Sequence, residues 1–469
     1  GAASHVELAA FPHHSLDSYL PKLVRAGSRV AICDQLEDPS TTKKLVKRGI
    51  TELVTPGVSY NDKTLENKQN NFLAAVHITA DHHGAAFLDI STGEFMCARG
   101  SIDYVDKLLQ SLSPKEVLVE RKNIQQFEEY YGKNHHTYHL EDWAFRFDFA
   151  YDQLTEHFGT ANLKGFGIEN ETEGIIAAGA CLQYLKETEH NDTAHITAVN
   201  RIDKDSYVWL DRFTIRNLEL FYSPNEGAKT LFDLLNQTQT PMGSRLMKRW
   251  LALPLKDQKP IEERLSMVDF FFQNRDSATE ISEYLKSVGD LERLISKVSV
   301  KRVNPREIAQ LKKALNLLVP IKKQIRVSKN EALEKLGDQF NLCEVIKEQI
   351  DQQITDEPPA SLGKGQVIKE GFNDELDELR KLAYSSKDYL QQMQRREVEN
   401  TGINSLKIGF NNVFGYYYEV RNTFKNQVPQ EWIRKQTLVN AERYITEELK
   451  EYESKTLGAE EKNQGLEQR

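Results

Sequence analysis

Between Glu375 and Leu457 the period of the sequence changes twice, and few folds accommodate that pattern. Leu376, Leu379, Ala383, Ser386, Leu390 and Met393 fall at alternating three- and four-residue steps, the spacing that keeps one helical stripe against a partner helix. A helix of about 25 residues spans about 38 Å, enough to carry its end clear of a globular body. Ser405-Leu-Lys-Ile-Gly-Phe410 then alternates in twos, Asn411-Asn412 reads as a turn, and Val413-Phe-Gly-Tyr-Tyr-Tyr-Glu-Val420 supplies aromatic and β-branched strand formers. Helical period returns after Glu431, with Leu438, Ile445, Leu449, Tyr452 and Thr456 on one face. The pattern predicts two long antiparallel helices holding a β tip.

Charge indicates what the tip meets. Across residues 401–440 the bases Lys407, Arg421, Lys425, Arg434 and Lys435 face only Glu419 and Glu431, a net +3 on a chain of net charge −9. Asn411, Asn412, Asn422, Gln436, Thr437 and Asn440 lie among them, adding hydrogen-bond groups suited to phosphate oxygens. A solvated tip whose charges only keep it soluble has the same composition.

The 469 residues suffice for three or four domains, each with its own core. A charged fraction of 28% and the lack of a long apolar run predict a soluble protein with no membrane partner. Cys33, Cys97, Cys181 and Cys343 are far apart, which suits a reducing cytoplasm and argues against a disulfide framework or a cysteine-rich zinc site. Gly1-Ala-Ala-Ser4 reads as an internal cut or tag junction, without the basic and apolar leader of a targeting signal.

Along the chain, a helix is expected at Ser15 to Ala26, with strands at Arg29 to Cys33 and near Glu52 to Thr55. Strands follow at Phe72 to Ile78, Gly84 to Ile90 and Glu94 to Ala98. A helix at Ile102 to Leu112, a strand at Val117 to Glu120 and helices through Glu187 complete an open α/β sheet. From about 205 to 399 the apolar positions recur at helical spacing, broken at Pro224, Pro254, Pro305, Pro320 and the loop Glu357-Pro-Pro-Ala-Ser-Leu-Gly363. In Thr240-Pro-Met-Gly-Ser-Arg-Leu-Met-Lys-Arg-Trp-Leu251, Pro241 opens a helix and Trp250 with Leu246 reads as a buried face. Arg245, Lys248 and Arg249 then bridge neighbouring elements. His135, His136 and His139 sit among poor helix formers with no Cys nearby, so a polar loop or exposed strand is favoured over a zinc site; the pairs His13-His14 and His82-His83 read the same way.

Ser405 to Val420 and Arg434-Lys-Gln-Thr-Leu-Val-Asn-Ala-Glu-Arg-Tyr-Ile445 closely resemble the clamp region of the bacterial MutS mismatch-repair family. Further landmarks follow in family order: Phe11-Pro-His-His-Ser-Leu16, Arg29-Val-Ala-Ile-Cys-Asp-Gln-Leu-Glu-Asp-Pro39, Leu53-Val-Thr-Pro-Gly57, Thr240 to Leu251, and Gly289-Asp-Leu-Glu-Arg-Leu294. The resemblance covers essentially the whole chain. It implies the end of a mismatch-recognition domain at 1–60, a ribonuclease H-like α/β connector at 61–200, a helical core and lever domain at 201–399, a clamp at 400–457, and the start of a return into the core at 458–469. It also implies clamp residues on DNA, of which Arg434, Lys435, Thr437 and Asn440 are the candidates, with Asn411 as a further one. A full-length relative is expected to be a cytoplasmic homodimer that uses ATP and Mg²⁺, grips mismatched duplex DNA and recruits a MutL-like partner through the connector.

The family's own chemistry is expected outside this chain. Gly227-Ala-Lys-Thr230 lacks the upstream Gly of a phosphate loop and has Ala228 in excess, so no catalytic residue, cofactor site or metal site is assigned. Phe127-Glu-Glu129 matches the family's Phe-x-Glu mismatch reader in letters only, without its flanking Gly-Asp. Asn463-Gln-Gly-Leu-Glu-Gln468 departs from the apolar helix expected on the return leg. Two rivals remain. One is a ribonuclease H-like metal-dependent nuclease using Asp89, although Glu94, Glu116 and Glu120 are not fixed on one point by the sequence. The other is a structural protein whose arm serves oligomerisation.

Overall fold

A computed structural model describes residues 11–37, 45–225, 227–362, 365–411 and 413–468. Asp38, Pro39, Gly363 and Asn412, and the side chains of His13, Ala383, Ser386 and Thr456, lie outside what is described. Two compact units result, Gly1–Val303 with Lys313–Leu342, and Asn304–Lys312 with Cys343–Arg469.

In the first unit, β1 (Val30–Gln35) and β2 (Arg48–Val54) form an antiparallel ribbon, and Leu20 and Val24 of helix Leu16–Arg25 pack on Val54. The principal sheet comprises β3 (Leu73–Ile78), β4 (His83–Asp89), β5 (Glu94–Gly100), β6 (Glu116–Glu120), β7 (Thr137–Leu140) and β8 (Asn200–Arg201). Their order is β7-β6-β3-β4-β5-β8, with β3, β4 and β5 antiparallel in turn and β6 and β7 parallel to β3. Successive side chains leave a strand on opposite faces. Leu73, Ala75, Ala86 and Leu88 therefore enter one core beside helix Thr172–Glu187, and Ala74, Val76, Ala85 and Phe87 enter another beside helices Ile102–Leu112 and Ile124–Tyr131. Gly84 permits the tightest approach. A Cβ there would lie 2.0 Å from the Glu173 carbonyl oxygen, so β4 meets the helix backbone to backbone.

The expected helix Ile102–Leu112 is found with those bounds, Ser101 capping its first turn. His139 belongs to the half-buried edge strand β7, whereas buried His83 contacts the Tyr131 hydroxyl.

Two expectations fail in the helical region. Pro320 does not end a helix: Pro305–Arg326 runs through it. Its missing N–H and its ring cost about 3 kcal/mol or more locally, a loss set against apolar side chains buried on both sides of it, among them Ala314, Leu315, Ile321 and Ile325. Nor do Trp250 and Leu246 form the buried face of helix Pro241–Ala252, being 39% and 36% exposed, while Ser244 and Arg245 are buried. The polar side turns inward because Arg245 meets Asp290 bidentately at 2.8 and 2.7 Å and Glu292 at 2.6 Å. A planar guanidinium matched to carboxylates in this way offsets its desolvation.

In the second unit, helices Asp374–Thr401 and Glu447–Gln468 run antiparallel, as the pairs Arg380–Glu467 (2.9 Å) and Tyr389–Glu448 (2.6 Å) require. Leu376 and Met393 of the predicted seam are buried. The return helix continues through Asn463 to Gln468, despite its polar composition.

Candidate nucleic-acid interface

The arm ends in a four-stranded antiparallel sheet, β9 (Lys407–Asn411), β10 (Gly415–Arg421), β11 (Ile433–Thr437) and β12 (Ala441–Ile445), ordered β11-β12-β10-β9. Helical structure does not return after Glu431 as its spacing suggested, since residues 433–445 are a hairpin and the helix starts at Glu447. Leu438, Ile445 and Leu449 are separated by seven and four residues, which fits a helix. The physical reason for the hairpin is tertiary. Trp432 stacks on Tyr418 at 4.5 Å, Tyr444 lies opposite Tyr418 in the ladder, and all three join Met393, Ile403, Leu406, Val420 and Leu449 in one core. Cross-strand aromatic packing of this kind overrides a marginal helical pattern.

The hairpin turn is fixed by Leu438 N–H donating to the Ala441 carbonyl at 2.8 Å, and by Asn422, whose side chain donates to the Val439 carbonyl at 2.9 Å. Arg434, Lys435, Thr437 and Asn440, all exposed, are thereby brought together on one strand and one turn. Lys435 occupies the point where the β11–β12 register shifts, a bulge that re-aims side chains. Asn411 is set apart. It ends β9, at the opposite edge of the sheet, and its side-chain oxygen accepts from Val413 N–H at 2.8 Å.

Electrostatics divide the bases into committed and open ones. Buried Glu442 takes Lys425 at 2.8 Å, Arg434 at 3.2 Å and the Tyr444 hydroxyl. Hydrogen bonds from Lys425 and then Tyr444, helped by Arg434, hold its carboxyl down to about 2. Arg443 is tied to Glu419 at 3.1 Å and lies over the Tyr417 ring. Lys407, Arg421 and Lys435 are exposed. Sequence reasoning missed Glu442 and Arg443 because the charge window ended at residue 440; the alternation Ala441-Glu-Arg-Tyr-Ile445 was the available signal.

The other candidate positions are occupied by internal bonds. Asp89 is fully buried, accepting from Asn70 Nδ2 (2.9 Å), Asn71 N–H (3.0 Å), and Ser91 N–H (3.0 Å) and Oγ (2.7 Å). Glu94 shares the Asn70 amide at 3.1 Å and pairs with Arg249. Glu116 lies elsewhere, accepting from Thr55, Gly57 and Tyr184, and Glu120 pairs with Lys122. Among the described residues no three His, Cys, Asp or Glu side chains converge as a metal site. Thr230 caps the short helix Leu231–Leu235 in a reciprocal box with Asp233, so this helix start holds a carboxylate of its own and does not fit a nucleotide phosphate. Phe127 is wholly buried in the sheet core and cannot wedge between bases. Among the described residues no helix is long and apolar enough to cross a membrane.

Three family models match in chain order: MutS domain I over residues 1–63, MutS domain II over 71–197 and MutS domain III over 213–457. Similar curated proteins are each called DNA mismatch repair protein MutS. That of Parabacteroides distasonis is 58% identical over 469 residues, covering 100% of this chain and 54% of the relative. That of Bacteroides fragilis is 58% identical over 469 residues with the same coverage, and that of Christiangramia forsetii is 57% identical over 462 residues, 98% of this chain and 53% of the relative. The chain thus spans about half the length of the curated relatives it matches. With the domain III model alone covering more than half of its residues, in register with the arm and its β tip, the chain belongs to the MutS family.

Proposed function

We propose that this chain serves DNA mismatch repair by gripping duplex backbone with its clamp and passing conformation along its helices. One observation carries the reading: the β11–β12 hairpin presents Arg434, Lys435, Thr437 and Asn440 on a single exposed strand and turn at the end of a helical arm. Cations and short polar side chains so arranged suit phosphate oxygens and fix position without reading bases. The strand order β5-β4-β3-β6-β7, with three antiparallel strands followed by two parallel ones, supports a ribonuclease H-like connector. We read residues 1–60, 61–200, 201–399 and 400–457 as the end of the mismatch domain, connector, core with levers, and clamp. The full-length protein would be a cytoplasmic homodimer that binds mismatched duplex, uses ATP with Mg²⁺ and engages a MutL-like partner. The stretch Gly227-Ala-Lys-Thr230, with its helix start already capped by Asp233, does not fit the phosphates of ATP, so no step of this chain is routed through ATP.

The test is the salt dependence of duplex binding. Each lost phosphate contact removes about 0.9 from the slope of log affinity against log salt. Lys435→Ala should therefore lower it by about 0.9. Arg434 gives only one guanidinium nitrogen to Glu442 and keeps the others for phosphate, so the double variant with Arg434→Ala should lower it by roughly 2. An unchanged slope in both would remove the hairpin from the DNA surface and favour an arm used only for oligomerisation.

A further inference from the structure

A cavity of about 40 Å³ lies in the first unit between helix Ile102–Leu112 and helix Pro241–Ala252. One water needs roughly 10–15 Å³ on this measure, so the space suits a group of several heavy atoms. Lys115, Arg245, Lys248 and Arg249 line it, together with Ser111 and Gln69, and no lining residue is acidic. Two of the cations are already engaged, Arg245 with Asp290 and Glu292, and Arg249 with Glu94. Lys115 reaches Glu66 only at 3.9 Å. The Lys248 ammonium, mostly withdrawn from water, donates to the neutral Gln69 Oε1 at 2.6 Å.

Two buried polar atoms among the lining residues have no hydrogen-bond partner: the Ser111 hydroxyl, on a residue 5% exposed, and Arg245 Nε, on one 3% exposed. Buried donors left unmatched are costly, and an acceptor with several oxygens would satisfy both. Burial and then the neighbouring Lys115 push the Lys248 ammonium down to about 8, a cost that a nearby negative charge relieves.

From this geometry we propose that the cavity binds a small tetrahedral oxyanion, a phosphate group, held by Lys248, Ser111 and Arg245 and joining the two helices. The group is inorganic phosphate or the terminal phosphoryl of a mononucleotide. Neither the clamp nor its DNA contact enters this proposal, so it stands or fails apart from them.

The 469-residue chain is titrated with sodium phosphate, with sodium chloride at equal ionic strength and with a nucleoside 5′-monophosphate, following heat of binding and melting temperature. Phosphate or the monophosphate should bind and raise the melting temperature beyond chloride. The arm that binds more tightly identifies the source of the group. Ser111→Ala, a small change in a short side chain, should weaken binding on the order of tenfold, as loss of a charge-assisted hydrogen bond implies, and Lys248→Met should abolish it. If phosphate and the monophosphate act no differently from chloride, or if Ser111→Ala retains wild-type affinity, the cavity is not an anion site.

Discussion

At the scale of single residues, two carboxylates illustrate how burial assigns roles that letters leave open. Asp89 stands where a nuclease would place a metal ligand, yet donors from Asn70, Asn71 and Ser91 occupy both its oxygens. Asp89→Asn would aim an amide at those donors, so urea unfolding should show a loss of about 1–3 kcal/mol. Metal-dependent DNA cleavage that accompanies the wild-type chain and vanishes in this variant would restore the nuclease reading. Glu442 is the second case. Its folded value, about 2, lies below the ordinary 4.5, so its contribution to stability is fully present above pH 4.5 and is lost as pH falls through 2. Near-ultraviolet circular dichroism, which follows the stacked Trp432 and Tyr418, should weaken over that window. Glu442→Gln should flatten this dependence, and an identical acid profile in the variant would show that another group controls the tip. The sequence reading singled out Asp89 and expected it to be structural, but its full set of donors was not legible, because Asn70 and Asn71 come from a loop some twenty residues earlier while Ser91 follows two residues later.

Elements were read best where local pattern and tertiary packing agree. Helix Ile102–Leu112 has a capping Ser, an apolar stripe and a sheet face to cover, and its bounds follow from the sequence. β11 and β12 were missed because Leu438, Ile445 and Leu449 also satisfy a helical period, and only the stack of Trp432 on Tyr418 decides between them. Helix Pro241–Ala252 was placed correctly but turned the wrong way, since its inward arginine becomes intelligible only with Asp290 and Glu292 beside it. Of the five candidate site residues, four share the β11–β12 hairpin, although the sequence reading placed a helix there. Close approach between elements is likewise invisible in a pattern. At Gly84 a methyl group would collide with the Glu173 carbonyl and the Gly174 nitrogen, both backbone atoms that cannot swing aside. Gly84→Ala should therefore force β4 and helix Thr172–Glu187 apart and destabilise the sheet by about 1–3 kcal/mol or more, as overpacking does. Amide hydrogen exchange should show protection falling in β3, β4 and that helix, with the clamp strands unaffected; wild-type protection throughout would mean that the contact is looser than its geometry.

Over the whole molecule, family membership was legible because many landmarks recur in one order, which no single short motif could establish. The two-unit division was not, since one of its crossings, between Lys312 and Lys313, falls inside the single helix Pro305–Arg326, where no break was expected. What the chain contains sets the last prediction. The one Phe-x-Glu match considered as a mismatch reader has its Phe127 sealed in a core, and no Gly-x-x-x-x-Gly-Lys-Ser/Thr run occurs in the 469 residues. Contacts to phosphates alone carry no base information, so a heteroduplex and its perfectly paired control should bind this chain within about 1 kcal/mol of each other, less than the cost of one typical mismatched base contact. A small residual preference is compatible with the easier bending of a mismatched duplex. Mg-ATP should be neither hydrolysed nor able to release the DNA, because the Gly-x-x-x-x-Gly-Lys-Ser/Thr run whose amides would cradle its phosphates does not occur in the sequence. Titrating both duplexes at one fixed salt concentration, with and without Mg-ATP, measures the two halves together. A large preference for the heteroduplex would place a base-reading side chain in the chain itself, and nucleotide-driven release would place a phosphate site on the path that couples the clamp to the rest of the protein.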